Sequence, residues 1–152
     1  MHLDDIKTRI PHELHAILSQ DGITELRPAQ SKAIDAGLLE RKNLLICTPT
    51  ASGKTLIAEF AALTSVFERK GRAVYIVPLV ALASEKVKHF KRRYGTRCNV
   101  ALSVGDFDSA DPHLGNYDLI VCTAEKLDSL LRHHAPWLSQ VGVVVVDEVH
   151  LL

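Results

Sequence analysis

An α/β fold, with a mostly parallel sheet and helices on both faces, is what this sequence predicts. Three observations predict it. Short apolar runs alternate with longer helix-forming stretches, as in successive βαβ units. One run, residues 43–47 (NLLIC), passes straight into residues 48–55 (TPTASGKT) and then into the helical stretch 55–69. Another, residues 142–146 (GVVVV), delivers Asp147 and Glu148 at its carboxyl end. At 152 residues the chain fits one domain with a sizeable core.

Taken in order, residues 11–20 predict a short helix with Leu14, Ile17 and Leu18 on one face, Pro11 in its first turn and Gly22 beyond its end. Pro28 opens a second helix, residues 28–40, with Ala29, Ala33, Ile34, Leu38 and Leu39 available for packing. Residues 73–77 (AVYIV) read as a buried strand ended by Pro78, and residues 80–94 as a helix. Its outer face is expected to carry Glu85, Lys86, Lys88, Lys91, Arg92 and Arg93, a charge run of the kind that ordinarily serves solubility. Residues 99–103 and 118–122 are two further strands. The loop between them, residues 104–116, is rich in Gly and Asp but lacks the spacing of a calcium loop. Thr123 is a suitable N-cap for a helix over 124–133, and Trp137 reads as a packing anchor. Residues 142–146 are apolar on both faces, as a central parallel strand should be.

The run TPTASGKT between a strand and a helix has a physical logic. Backbone N–H groups at a helix N-terminus, aligned with the macrodipole, favour an anion. Gly53 lets the backbone close on phosphates, Lys54 reaches the β- and γ-phosphates, and the Thr55 hydroxyl is a ligand for Mg²⁺. Thr48 stands where the strict pattern has its first Gly. Asp147 would hold the metal, through water, and Glu148 would deprotonate an attacking water, both at the strand end where open α/β sheets place their ligands. Gln30, in the first turn of its helix, has an amide that matches the Hoogsteen edge of adenine. The expected ligands are therefore ATP and Mg²⁺.

Composition narrows the rest. Eighteen basic and eighteen acidic residues cancel, which does not favour tight sequence-independent nucleic-acid binding by this segment alone. No run is long enough to span a bilayer, and no signal-peptide pattern opens the chain. Cys47, Cys98 and Cys122 form no C-x-x-C pair. Cys47 and Cys122 sit in apolar strand-like runs and are expected to be buried thiols of a reduced, intracellular protein.

The ordered set of motifs carries a resemblance. It comprises Gln30 in LRPAQ, TPTASGKT, VPLVALASEK (77–86), VGD (104–106), TAEK (123–126) and DEVH (147–150). The set resembles the first RecA-like domain of superfamily 2 helicases, Ski2-like branch. The block from Gly105 onward is similar to archaeal Ski2-like DNA helicases, relatives of the helicase domain of DNA polymerase theta. The likeness runs from about Leu14 to Leu152. It implies a RecA-like P-loop NTPase, with N-terminal helices and the adenine motif over residues 1–41 and the P-loop core over 42–152. Gln30 would read adenine, and Thr50, Ala51, Ser52, Gly53, Lys54 and Thr55 would hold the phosphates and Mg²⁺. Asp147 and Glu148 would be the metal-linked acid and the base. His150 would couple the nucleotide site to the nucleic-acid motifs. Pro78, Leu79, Ala81, Gly105, Asp106, Thr123, Glu125 and Lys126 would lie against single-stranded or forked DNA, mostly along its backbone.

The family unwinds forked DNA 3′-to-5′ with ATP, so the resemblance implies a monomeric, intracellular motor. Val80 stands where many relatives carry Arg, and Arg27 where they often carry an aromatic residue. The resemblance also puts a Ser-Ala-Thr motif after DEVH, on a strand between residues 43–47 and 142–146. Beyond it come a second RecA-like domain with an arginine finger, then winged-helix and ratchet domains. The chain is thus expected to be a segment of a longer helicase. Losing an arginine finger costs P-loop NTPases on the order of 10³–10⁵ in rate. Weak MgATP binding, almost no hydrolysis, no unwinding and an exposed apolar gap in the sheet are accordingly expected of these residues alone. Two alternatives stand beside this reading: a Ski2-like RNA helicase, and a nucleotide- or nucleic-acid-binding protein without motor activity.

Overall fold

Four of the apolar runs pair into one parallel sheet in the order β2-β3-β1-β4, where β1 is Arg72–Val77, β2 Val100–Ser103, β3 Leu119–Thr123 and β4 Val141–Val146. The computed structural model describes residues 1–49, 51–105 and 111–151. Five helices complete it: α1 (His12–Gln20), α2 (Pro28–Asp35), α3 (Lys54–Phe67), α4 (Val80–Tyr94) and α5 (Ala124–Arg132). Short 3₁₀ turns at Leu3–Ile6, Pro112–Asn116, Pro136–Gln140 and Val149–Leu151 fill in the connections.

Period-two alternation along β1 divides the core. Ala73, Tyr75 and Val77 face α1, α3 and α4, packing with Phe60, Leu63 and Phe90. Val74 and Ile76 face the other way, toward Leu130 of α5, Ala135 and Trp137. Helices therefore cover both faces, as expected of parallel strands. The Tyr75 and Phe90 rings meet edge to face at 5.3 Å. Trp137 is buried in the second cluster, as a packing anchor should be.

Four departures from the sequence reading have physical reasons. Residues 43–47 form no strand, although NLLIC has strand composition. A strand exists only through its neighbour's hydrogen bonds, and no described strand lies beside this run. Cys47, expected buried, is exposed for the same reason, whereas Cys98 and Cys122 are buried. β4, expected to be central, is an edge strand with Val144 and Val146 exposed. Finally, α2 stops at Asp35 rather than continuing to residue 40. Gly37, at φ +110°, ends it in a Schellman motif, its N–H bonded to Ile34 O and that of Leu38 to Ala33 O.

Candidate nucleotide site

The loop before α3 is braced from within and without. The Thr48 and Ser52 hydroxyls share a hydrogen bond of 2.6 Å, so the residue in the first-Gly position closes the loop with its side chain. Ala51 and Gly53 both take left-handed φ, +65° and +86°. Gly53 is the N-cap of α3 and offers no side-chain acceptor to the first N–H groups of that 14-residue helix, a geometry in which helix N-termini bind anions. A Cβ at Gly53 would run into Gln30 Nε2 and come within 3.2 Å of Arg27 Cδ. The adenine-motif residues clamp the loop from outside. Arg27 Nη1 donates to Ala51 O at 2.7 Å, and Gln30 Nε2 to Gly53 O at 3.1 Å. Gln30 Oε1 accepts from the Arg27 backbone N–H at 2.7 Å. Gln30 is consequently buried, its oxygen and one amide N–H spent on the chain.

Opposite the loop stands the end of β4. The Asp147 N–H continues the sheet to Ile76 O at 2.9 Å. Asp147 Oδ1 accepts from the Glu148 N–H at 2.9 Å, and Oδ2 accepts from the Tyr75 hydroxyl at 2.8 Å. Burial, and then the Asp147 charge, push the Tyr75 phenol far above its ordinary range, so it remains a donor. Glu148 is held at φ +51°, a left-handed position for a residue with a side chain. Its carboxylate pairs with His150 Nε2 at 3.3 Å. Lys54, Asp147, Glu148 and His150 line one cleft of about 660 Å³ between α3 and β4.

Thr55 and Asp147, far apart in sequence, already converge on one cation. The Lys86 ammonium donates to Thr55 Oγ1 at 2.9 Å and lies 3.7 Å from Asp147 Oδ2. A hydroxyl and a carboxylate are hard oxygen donors of the kind Mg²⁺ prefers, and a positive charge between them fits the donor set.

The residues expected on nucleic acid follow the carboxyl ends of the parallel strands, hence one edge of the sheet. Leu79, Ala81, Gly105 and Glu125 are exposed there and Pro78 is half-buried. Two of the residues expected there are buried. Thr123 is buried, its hydroxyl accepting from the Lys126 N–H to cap α5. Lys126 is 1% exposed, and its ammonium pairs with Asp111 at 2.7 Å. Both side chains are engaged within the fold. Thr50 and Asp106 lie outside the described residues.

Sequence reasoning missed Tyr75 and Lys86. A tyrosine in a buried strand needs a partner for its hydroxyl, which was a readable signal. Lys86 and Arg93 belong, by spacing alone, to the charged outer face of α4. Arg93 instead bonds buried Glu59 through Nη1, at 2.9 and 3.1 Å, and Asp21 through Nε at 2.6 Å.

The description of the DEAD/DEAH box helicases matches residues 27–152. A protein of Pyrococcus horikoshii named ATP-dependent DNA helicase Hel308 is 51% identical over 144 residues, which is 95% of this chain and 20% of that protein. One of the same name from Methanocella arvoryzae is 52% identical over 150 residues, again 20% of its length. The chain thus spans about a fifth of the length of these curated relatives. Among solved structures, the DUF1998 helicase MrfA bound to DNA and AMPPNP superposes with a TM-score of 0.78 at 28% identity, over 93% of this chain and 21% of that one. A hypothetical ATP-dependent RNA helicase from Sulfolobus tokodaii, 23% identical at a TM-score of 0.73, shares the fold over 93% of this chain and 42% of its own. The profile match across most of the chain and the identity to these relatives carry one conclusion: the chain belongs to the DEAD/DEAH box helicase family.

Proposed function

We propose that this segment is the ATP-binding half of the first RecA-like motor domain of an ATP-dependent DNA helicase, one that moves 3′-to-5′ on single-stranded or forked DNA in replication-linked repair. The observation that carries the reading is the approach of Thr55 and Asp147 to one ammonium, that of Lys86, at the N-terminus of α3 where Lys54 stands, with Glu148 next to Asp147 in the chain. The names of the relatives at about half identity favour DNA over RNA as the substrate. Their greater length supports placing a second motor domain elsewhere in the same protein.

The chain's own residues divide the chemistry. The N–H groups at the start of α3 and the Lys54 ammonium bind and orient the β- and γ-phosphates. Thr55 and Asp147 would hold Mg²⁺, which when bound neutralises charge developing on those phosphates. Glu148 takes the proton of the attacking water on its carboxylate, and its pairing with His150 ties that carboxylate to the next turn of chain. Arg27 and Gln30 keep the loop in its binding shape. The three cysteines are unpaired, which suits a reducing compartment. Among the described residues no helix is long and apolar enough to cross a membrane.

The test is ATP hydrolysis by the full-length protein, measured with a DNA fork and with the matching RNA fork. DNA should stimulate turnover and RNA should not. Lys54→Ala and Glu148→Gln should each lower the rate by about 10²–10⁴-fold. Wild-type turnover in Lys54→Ala would overturn the assignment of the site, and stimulation by RNA alone would overturn that of the substrate.

A further inference from the structure

Lys86 occupies a place that neither a solubility role nor the phosphate-loop motif explains. It lies on α4, yet its ammonium is drawn inward between α3 and the end of β4, with only 21% of its side chain exposed. It donates to Thr55 Oγ1 at 2.9 Å, thereby occupying a lone pair that a metal would use. It also lies 3.7 Å from Asp147 Oδ2, the oxygen that accepts from Tyr75, and 5.9 Å from the centre of the Tyr75 ring. Asp147 is itself only 20% exposed, so its charge is partly desolvated and needs a counter-charge when no metal is near.

We propose that Lys86 is a built-in stand-in for the divalent cation. In the nucleotide-free chain its ammonium neutralises Asp147 and holds the Thr55 hydroxyl toward it. When a metal arrives with nucleotide, the ammonium leaves. Two cations cannot share one pair of oxygens, because their repulsion in a half-buried cleft exceeds what a single carboxylate offsets. Lys86 is thus a positioning residue: it keeps the two metal ligands assembled between turnovers and competes with the metal for them. α4 also begins just after Leu79 and carries Ala81 in its first turn, both exposed at the carboxyl edge of the sheet.

The proposal rests on the reading of Thr55 and Asp147 as metal ligands, and its test separates the two. Mn²⁺ binding to the nucleotide-free chain is followed by electron paramagnetic resonance for wild type, Lys86→Met and Asp147→Asn. Lys86→Met should bind Mn²⁺ about 10-fold more tightly than wild type, and Asp147→Asn should bind it more weakly. A purely structural lysine would lower the thermal midpoint without raising metal affinity. Unchanged or weakened Mn²⁺ binding in Lys86→Met, with Asp147→Asn still impaired, would overturn the stand-in and leave the site intact. Equal binding by wild type and Asp147→Asn would remove the metal reading itself, and the inference with it. A second measurement needs no variant: amine labelling of the wild type read by mass spectrometry. Lys86 should be protected in the nucleotide-free chain and become labelled with saturating Mg²⁺ and ADP. Protection that stays equal or increases would contradict the proposal.

Discussion

Single residues in this chain are governed by who faces them, and the three cysteines show it. Burial pushes the Cys98 thiol up to about 12, helped by the Asp118 charge, and the Cys122 thiol up to about 12 despite Lys126 nearby. Cys47 stands exposed. At pH 8 iodoacetamide should therefore modify Cys47 alone, as peptide mapping would show. The two raised values also set a pH window. The folded chain holds those protons more tightly than the unfolded chain, whose thiols titrate near 9.0. Their contribution is fully present below pH 9 and declines as pH rises toward 12, by at most about 1.4 kcal/mol per pH unit for each thiol. Urea midpoints should hence show no thiol-dependent loss between pH 7 and 9 and should fall above that. Gly53 is a second case. Its φ of +86° and the nearness of Gln30 make Gly53→Ala a strained and colliding substitution. That variant should lose about 1–3 kcal/mol and also its phosphate-binding loop, which denaturant titration with and without MgATP would separate.

At the scale of elements, existence was legible in the sequence and surroundings were not. The helix over 80–94 and the strand over 73–77 stand where their periodicity puts them, because each buries a face against several neighbours. The sidedness of α4 is the exception. Arg93 lies in a charge run, but it follows Lys86 by seven residues and shares the inward side with Phe90 and Tyr94. Its partner Glu59 is only 1% exposed, a charge on α3 that no single-helix pattern announces. Arg93→Ala would leave that carboxylate paired only with His89 Nε2 among the described residues, at 3.4 Å, and should cost about 3 kcal/mol. Lys88→Ala, on the exposed side, should stay within about 0.5 kcal/mol in the same chemical unfolding experiment. Helix ends tell a similar story. α3 and α5 end in Schellman hydrogen bonds with Arg69 and His134 at left-handed φ, +55° and +52°. Side chains resist that conformation, so Arg69→Gly and His134→Gly should each raise stability, by about 1 kcal/mol.

For the whole molecule, β4 is the revealing element. Five strand-like runs were legible, and four of them pair. NLLIC does not, since pairing depends on a neighbour that strand composition cannot supply. Between NLLIC and β4 lies the cleft of about 660 Å³, lined on one side by Val143, Val144 and Val145. This is where the resemblance to superfamily 2 helicases puts a further strand, and an unpaired apolar edge invites self-association. Val144→Lys should lower the concentration-dependent association of this segment in sedimentation experiments. The nucleotide loop itself is anchored less by the sheet than by Arg27, Gln30 and α3, so it should keep its shape even where NLLIC is unpaired. A calorimetric titration of the 152-residue chain with MgATP, beside Lys54→Ala, tests that central claim most directly. The account predicts measurable binding by the wild type and a loss of about 10-fold or more in the variant. Equal affinity in the two, or none in the wild type, would contradict it.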